Sequence, residues 1–314
     1  MGRFFISRVL SAIPTLFLVA VTVFVLIRLV PGDPAALLLG DQANASEIAA
    51  LRERLGLDQP VIQQFLIWGG NILTGDFGRS IWLGEPVFPL ILSRFFVSIQ
   101  VVLPAVILAA LVAVPAGIIA AARQNSLTDI TLIGLATLLL SIPTFWLGLL
   151  LLLFFGLKLG WFPIVGYVSI ATNPVAGLLY LVLPIATLFL HEIGTVIRMS
   201  RASTLEVLRL DYITHARAKG LSEGAILWRH TFKNSFGPTL TLLGLILGNL
   251  LGGIAVIETV FTIPGLGRLM VDAIYARDYP VIQGCMLFIA FVYVAVNFVI
   301  DLLYSYFDPR VTAQ

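Results

Sequence analysis

Apolar and polar positions along this chain are segregated into long blocks. Six stretches are almost wholly apolar: residues 9–30, 97–122, 130–157, 176–197, 236–257 and 281–304. Each is close to the roughly 20 residues that a helix needs to cross the hydrocarbon layer. A backbone in lipid has to satisfy its own hydrogen bonds, and the alternation of a barrel strand is absent, so the blocks read as helices. The third is long enough to tilt, or to kink at Pro143. The pattern predicts an all-α, polytopic membrane protein with six transmembrane helices. Arg3 and Arg8 precede the first block as in a secretion signal. That block is longer than a signal core and no small-x-small cleavage site follows, so it reads as a retained anchor.

The polar intervals predict the remaining elements. In 31–96, Pro31-Gly32-Asp33-Pro34 stops the first helix. Asn44 stands three residues before Glu47, as in a helix start, and Gly56 suits the stop. Asp58 before Pro60 begins a second helix running toward Leu73. The loop from Thr74 to Ser80 is glycine-rich, but GxxxxGK[ST] is absent here and throughout the chain, so it is no phosphate loop. These pieces predict a small helical cap on the outer side. The interval 198–236 reads as two helices. In the first, Leu205, Leu208, Tyr212 and Ala216 share a face. Gly220 ends it after Lys219, and Ser222 caps a second helix that continues into the next apolar block. The result is a knuckle at a glycine corner. Ala216, Ala218 and Gly220 give a lipid-surface helix little to bury and suit the close approach of another protein. Beyond Glu258 the turn-rich piece 259–280 is too short to cross a bilayer, and it predicts a short helix over 266–275 at the outer mouth.

Composition agrees: 59% hydrophobic and 11% charged residues, with mean hydropathy +1.01, cannot close a water-soluble surface, which takes about 25% charged residues. The distribution of charge says more than the net +2. Arg3, Arg8, Arg123, Arg198, Arg201, Arg209, Arg217, Lys219, Arg229, Lys233 and Arg310 fall in short segments on one side. Fewer bases, Arg52, Arg54, Arg79, Arg94, Lys158, Arg268 and Arg277, fall in longer segments on the other. The bias puts both termini in the cytosol. Within the blocks, Arg28 can snorkel and Asp301 is near a helix end. His191 and Glu192 lie deeper and are functional candidates. Being about 100° apart on a helix, they are expected not to face one target. Cys285 is the sole cysteine, with no partner for a disulfide or a metal pair. His191, His215 and His230 lack metal-ligand spacing, and no Ser/His/Asp set converges, so neither a metal site nor an enzyme is predicted. A self-contained secondary transporter would carry paired inverted repeats, which are not evident.

Several ordered segments carry a resemblance. Asp211-Tyr212-Ile213-x-x-Ala216-Arg217-Ala218-Lys219-Gly220-Leu221-Ser222 resembles the cytosolic motif of peptide-type permeases in ATP-binding-cassette importers. The superfamily's general form is Glu-Ala-Ala, three residues, Gly, nine residues, Ile-x-Leu-Pro. Aligned on Gly220, this chain has Thr214, His215 and Ala216 at the first triplet and His230, Thr231, Phe232 and Lys233 at the last positions. A salt bridge made by that glutamate elsewhere is therefore ruled out here. Arg28-Leu29-Val30-Pro31-Gly32-Asp33-Pro34, Leu55-Gly56-Leu57-Asp58 and Gly75-Asp76-Phe77-Gly78-Arg79-Ser80 resemble the first half of the same subgroup. The run from Glu258 to Gly267, then Arg277-Asp278-Tyr279-Pro280, resembles its last third. The chain is identified as a member of the dipeptide/oligopeptide permease family, first (B-type) membrane subunit.

The resemblance implies a type I importer permease fold in the cell inner membrane. It implies the first transmembrane helix plus an extracytoplasmic domain over 1–93, a five-helix permease core over 94–304 with a coupling segment at 198–236, and a cytosolic tail at 305–314. It implies a homologous second permease subunit, two ATPase subunits that bind the ATP, and a soluble solute-binding protein at the outer face, with no cofactor in this chain and no nucleic acid. Asp211, Tyr212, Ala216, Arg217, Gly220 and Leu221 would couple to the ATPase. His191, Glu192 and Glu258 would line the path, and Pro264, Gly265, Gly267 and Asp278 would meet the binding protein. The solute would be a di- or oligopeptide, with nickel, haem or another small solute as the alternative.

Overall fold

The computed structural model describes residues 2–29, 44–54 and 58–307. The turn at Pro31–Pro34, the stop at Gly56 and the tail beyond 307 fall outside the described residues. Regular structure among the described residues is helical, apart from a bridge between Arg79 and Pro86. The helices are α1 (Gly2–Leu29), α2 (Ala45–Arg54), α3 (Val61–Leu73), α4 (Val87–Ala122), α5 (Leu127–Ser141), α6 (Thr144–Lys158), α7 (Pro174–Leu208), α8 (Asp211–Ala218), α9 (Glu223–Gly253), α10 (Ala255–Val260), α11 (Leu266–Tyr275) and α12 (Tyr279–Phe307). Helices α6 and α9 each include a π-helical turn, over Leu152–Lys158 and Ile226–Thr231. Five helices, α1, α4, α7, α9 and α12, are long and apolar enough to cross a membrane, and the pair α5 and α6 makes a sixth span if taken together.

That pair sharpens the expectation of a tilt or kink. The two halves meet at 96°, which is a break. Ile142 is extended at φ −88° and ψ 123°, and Pro143 follows it. Proline disfavours a helical residue before it and has no N–H to continue the ladder, so α5 stops and α6 starts afresh.

Helix α7 departs from expectation at both ends. Asn173 Oδ1 accepts from Ala176 N at 3.1 Å and Pro174 occupies the first turn, so the helix begins before the apolar block. It then runs past the block to Leu208. The expected continuous helix through Ala216 is interrupted at extended Leu210, and α8 starts at Asp211, whose charge suits a helix N-terminus. Leu205, Leu208, Tyr212 and Ala216 therefore do not form one stripe. Ile213 and Ala216 are buried with Ile226, Leu208 packs against them, and Tyr212 is 39% exposed.

The chain divides into two compact units, Gly2–Phe95 with Leu269–Phe291, and Phe96–Arg268 with the residues from Val292 onward. In the first, Asn44 and Glu47 form the reciprocal cap: Glu47 N donates to Asn44 Oδ1 at 2.9 Å and Asn44 N to Glu47 Oε2 at 3.1 Å. Arg28 does not simply extend toward water. Its guanidinium lies 3.3 Å from the Phe24 ring centroid and donates to Gln64 Oε1 at 2.6 Å. In the second unit, Asp129 at the start of α5 accepts two bonds from Arg201 on α7, at 2.6 and 2.7 Å. Helix α9 packs closely on α12 where a Cβ at Gly248 would stand 2.6 Å from the Tyr293 ring.

Candidate functional site

The first element of the site is a cleft of about 300 Å³, open on one side. Thr144 and Phe145 come from α6, immediately after the break at Pro143. Leu188, His191 and Glu192 come from α7, Leu250 and Gly253 from the end of α9, and Val256 and Ile257 from α10. His191 and Glu192 thus line one cleft, contrary to the expectation that sequence neighbours could not share a target. The remaining lining is mostly apolar, and Nδ1 of His191 is buried with no hydrogen-bond partner among the described residues.

The second element is the hairpin formed by α8 and the start of α9. Gly220 has φ +79° and nothing within 4 Å of a Cβ built on it. Glycine is therefore required by the backbone conformation, and the space around it is open. Ser222 Oγ caps α9 by accepting from Ala225 N at 3.3 Å. Arg217 brackets the corner through Glu223, with bonds of 2.7 and 3.2 Å. That hydrogen bond raises the guanidinium pKa above its ordinary value. Asn234 Nδ2 donates to Tyr212 Oη at 2.9 Å and to the His230 carbonyl at 2.8 Å, fastening α8 to the π turn.

Of the expected coupling residues, Asp211, Tyr212, Arg217, Gly220 and Leu221 are exposed on the hairpin. Ala216 is not: it faces inward, where its small side chain lets α8 close on Ile226.

The third element is the piece from α10 to α12, where α11 spans Leu266–Tyr275 as expected. Glu258 is fully buried. Its Oε1 accepts from Ser98 Oγ at 2.5 Å and its Oε2 from Arg268 N at 2.8 Å, while Ser98 Oγ accepts from Leu266 N at 2.8 Å. Carboxylate and hydroxyl together cap the free amides at the start of α11. Glu258 is absent from the cleft lining, although its neighbours Val256 and Ile257 are there. Asp278 is turned inward as well, 1% exposed, accepting from Ser80 Oγ at 2.5 Å and Trp82 N at 3.2 Å. Gly265 and Gly267 are buried and Pro264 is half-buried. A Cβ at Gly265 would fall on the Glu258 carboxylate.

Sequence reading missed Ser98, Ser80 and the pair of Asp129 and Arg201. Each partner lies more than 70 residues away along the chain, and a serine or one arginine among many carries no local signal.

Spans, a broken helix walling a mostly apolar cleft, and a capped polar hairpin define a polytopic helical membrane protein. Residues 113–313 match the family described as binding-protein-dependent transport system inner membrane component, and residues 1–115 match the corresponding N-terminal family. The chain belongs to this family: it is a multi-pass permease subunit of an ABC importer, with the type I permease fold. Among its relatives, a putative peptide transport system permease protein of Brucella suis biovar 1 is 44% identical over 311 residues, 99% of each chain. A probable peptide ABC transporter permease protein of Sinorhizobium fredii is 40% identical over the same length and coverage. So is the glutathione transport system permease protein of Escherichia coli K12.

Proposed function

We propose that the chain carries di- or oligopeptides inward, forming the path with a homologous second permease subunit. Two ATPase subunits bind and hydrolyse ATP, for which this chain has no site of its own. A soluble binding protein delivers the peptide at the outer face. In this reading both termini and the hairpin around Gly220 are cytosolic, as the arginine and lysine bias favours. The peptide names of relatives at 44% and 40% identity support the solute class.

One observation carries the mechanism. Helix α9 begins at Glu223, which Arg217 ties to the glycine corner, and ends at Leu250 and Gly253 in the cleft wall. A helix of 31 residues spans about 46 Å. Motion imposed on the corner is thereby carried toward the cleft along one continuous helix. His191, Glu192 and Thr144 give the apolar wall its polar contacts for a passing peptide, and the break at Pro143 lets α5 and α6 move separately. Alternating access follows when ATPase closure rocks this lever.

The test is reconstitution of the full importer in liposomes with its binding protein. Peptide-loaded binding protein should raise ATP hydrolysis and drive peptide accumulation. Uptake by the permease without ATPase subunits, or stimulation by nickel or haem and by no peptide, would overturn the proposal.

A further inference from the structure

The apolar residues of helix α3 cover a broad arc, with about 100° between the side of Phe65 and Trp68 and the side of Ile62, Leu66 and Leu73. Its inner face, Phe65 and Trp68, packs on α1, while Ile62, Leu66 and Leu73 on the outer face are 76%, 66% and 90% exposed. It has no ionisable side chain. At 13 residues, or about 20 Å, it is too short to cross a bilayer. A water-facing cap helix would place charge on its outer side.

The contacts with α1 fix its depth. The apolar stretch of α1 is Leu10–Leu29. The Phe65 ring centroid lies 5.1 Å from that of Phe24 and 6.1 Å from that of Phe17, and Trp68 lies 5.4 Å from Phe24. Phe17 stands about 18 Å along the helix from Leu29 and Phe24 about 7 Å. A ring held by both is well inside the apolar span, and α3 enters the hydrocarbon with it. Gln64, bonded to Arg28 near the end of that span, sits toward the water. On α1 itself, Leu10 and Leu18 are likewise 59% and 66% exposed.

We infer that α3 is immersed in the bilayer, with Ile62, Leu66 and Leu73 against lipid acyl chains, and is no part of a water-exposed cap. A lipid-facing helix that does not cross the membrane makes the N-terminal segment a lateral anchor beside α1.

Spin labels distinguish the possible occupants. Cys285 is the only native cysteine and is buried, so labels go to introduced cysteines. In the assembled importer in liposomes, Ile62→Cys, Leu66→Cys and Leu73→Cys are compared with Leu18→Cys on α1 and Glu47→Cys on α2. Collision with lipid-soluble oxygen and with a water-soluble nickel chelate is measured at each. The oxygen-to-chelate ratio on α3 should match that at Leu18 and exceed that at Glu47 several-fold. A ratio equal to that at Glu47 would mean a water-exposed helix. Exclusion of both quenchers would mean a face covered by a partner protein. Either result overturns the inference.

Discussion

The hairpin at Gly220 joins a short helix to a membrane helix and the segment at Gly265 joins two short helices, and the two glycines do opposite work. At Gly220 the demand is torsional: φ is +79° and the surroundings are empty. At Gly265 the demand is spatial, because the Glu258 carboxylate occupies the place of a Cβ. The polar groups follow suit. Arg217 and Glu223 lie in the open, whereas Glu258 and Asp278 are sealed in and fully engaged with serines and backbone amides. One corner lies open and the other is closed on itself.

Substitutions should separate the two, the largest effects falling at the sealed corner. Glu258→Ala leaves buried amides at the start of α11 and the Ser98 hydroxyl without their acceptor, costing about 3 kcal/mol. The unfolding midpoint of the detergent-solubilised complex should fall clearly. Gly265→Ala should cost about 2 kcal/mol by overpacking against Glu258, read in the same assay. Ser80→Ala removes one donor to buried Asp278 and should cost about 1 kcal/mol. At the open corner, Gly220→Ala forces a side chain into the left-handed region for about 1 kcal/mol, with the complex still assembled. Its signature is functional: ATP hydrolysis should no longer follow peptide-loaded binding protein. Arg217→Ala should change stability least, within about 0.5 kcal/mol, because the pair is exposed. It should lower the transport rate while leaving the amount of assembled importer unchanged. Equal stability losses at both corners would erase the distinction.

What was readable in the amino-acid sequence was local. The reciprocal cap of Asn44 and Glu47, the left-handed corner at Gly220, the cap at Ser222 and the span of α11 all depend on residues a few positions apart, and they appear where the sequence places them. The break at Pro143 was legible as a site, while its 96° was not, since the angle depends on what the halves pack against. The interruption at Leu210 escaped notice because periodicity continues across it. Ala216 was read by size as a docking residue, but smallness serves equally for packing on Ile226. The three buried carboxylate sites, Asp129 with Arg201, Glu258 with Ser98, and Asp278 with Ser80, join distant parts of the chain. Pairing of that kind becomes visible only once helices are laid side by side.

In the proposed mechanism the Gly220 corner receives the motion of the ATPase. A photo-crosslinking residue at Leu221, 42% exposed beside that glycine, tests it most directly in the assembled importer in liposomes. A crosslink to an ATPase subunit is expected, with a yield that changes between nucleotide-free and ATP-bound states. A crosslink to the binding protein instead, or none to the ATPase in any nucleotide state, would contradict it.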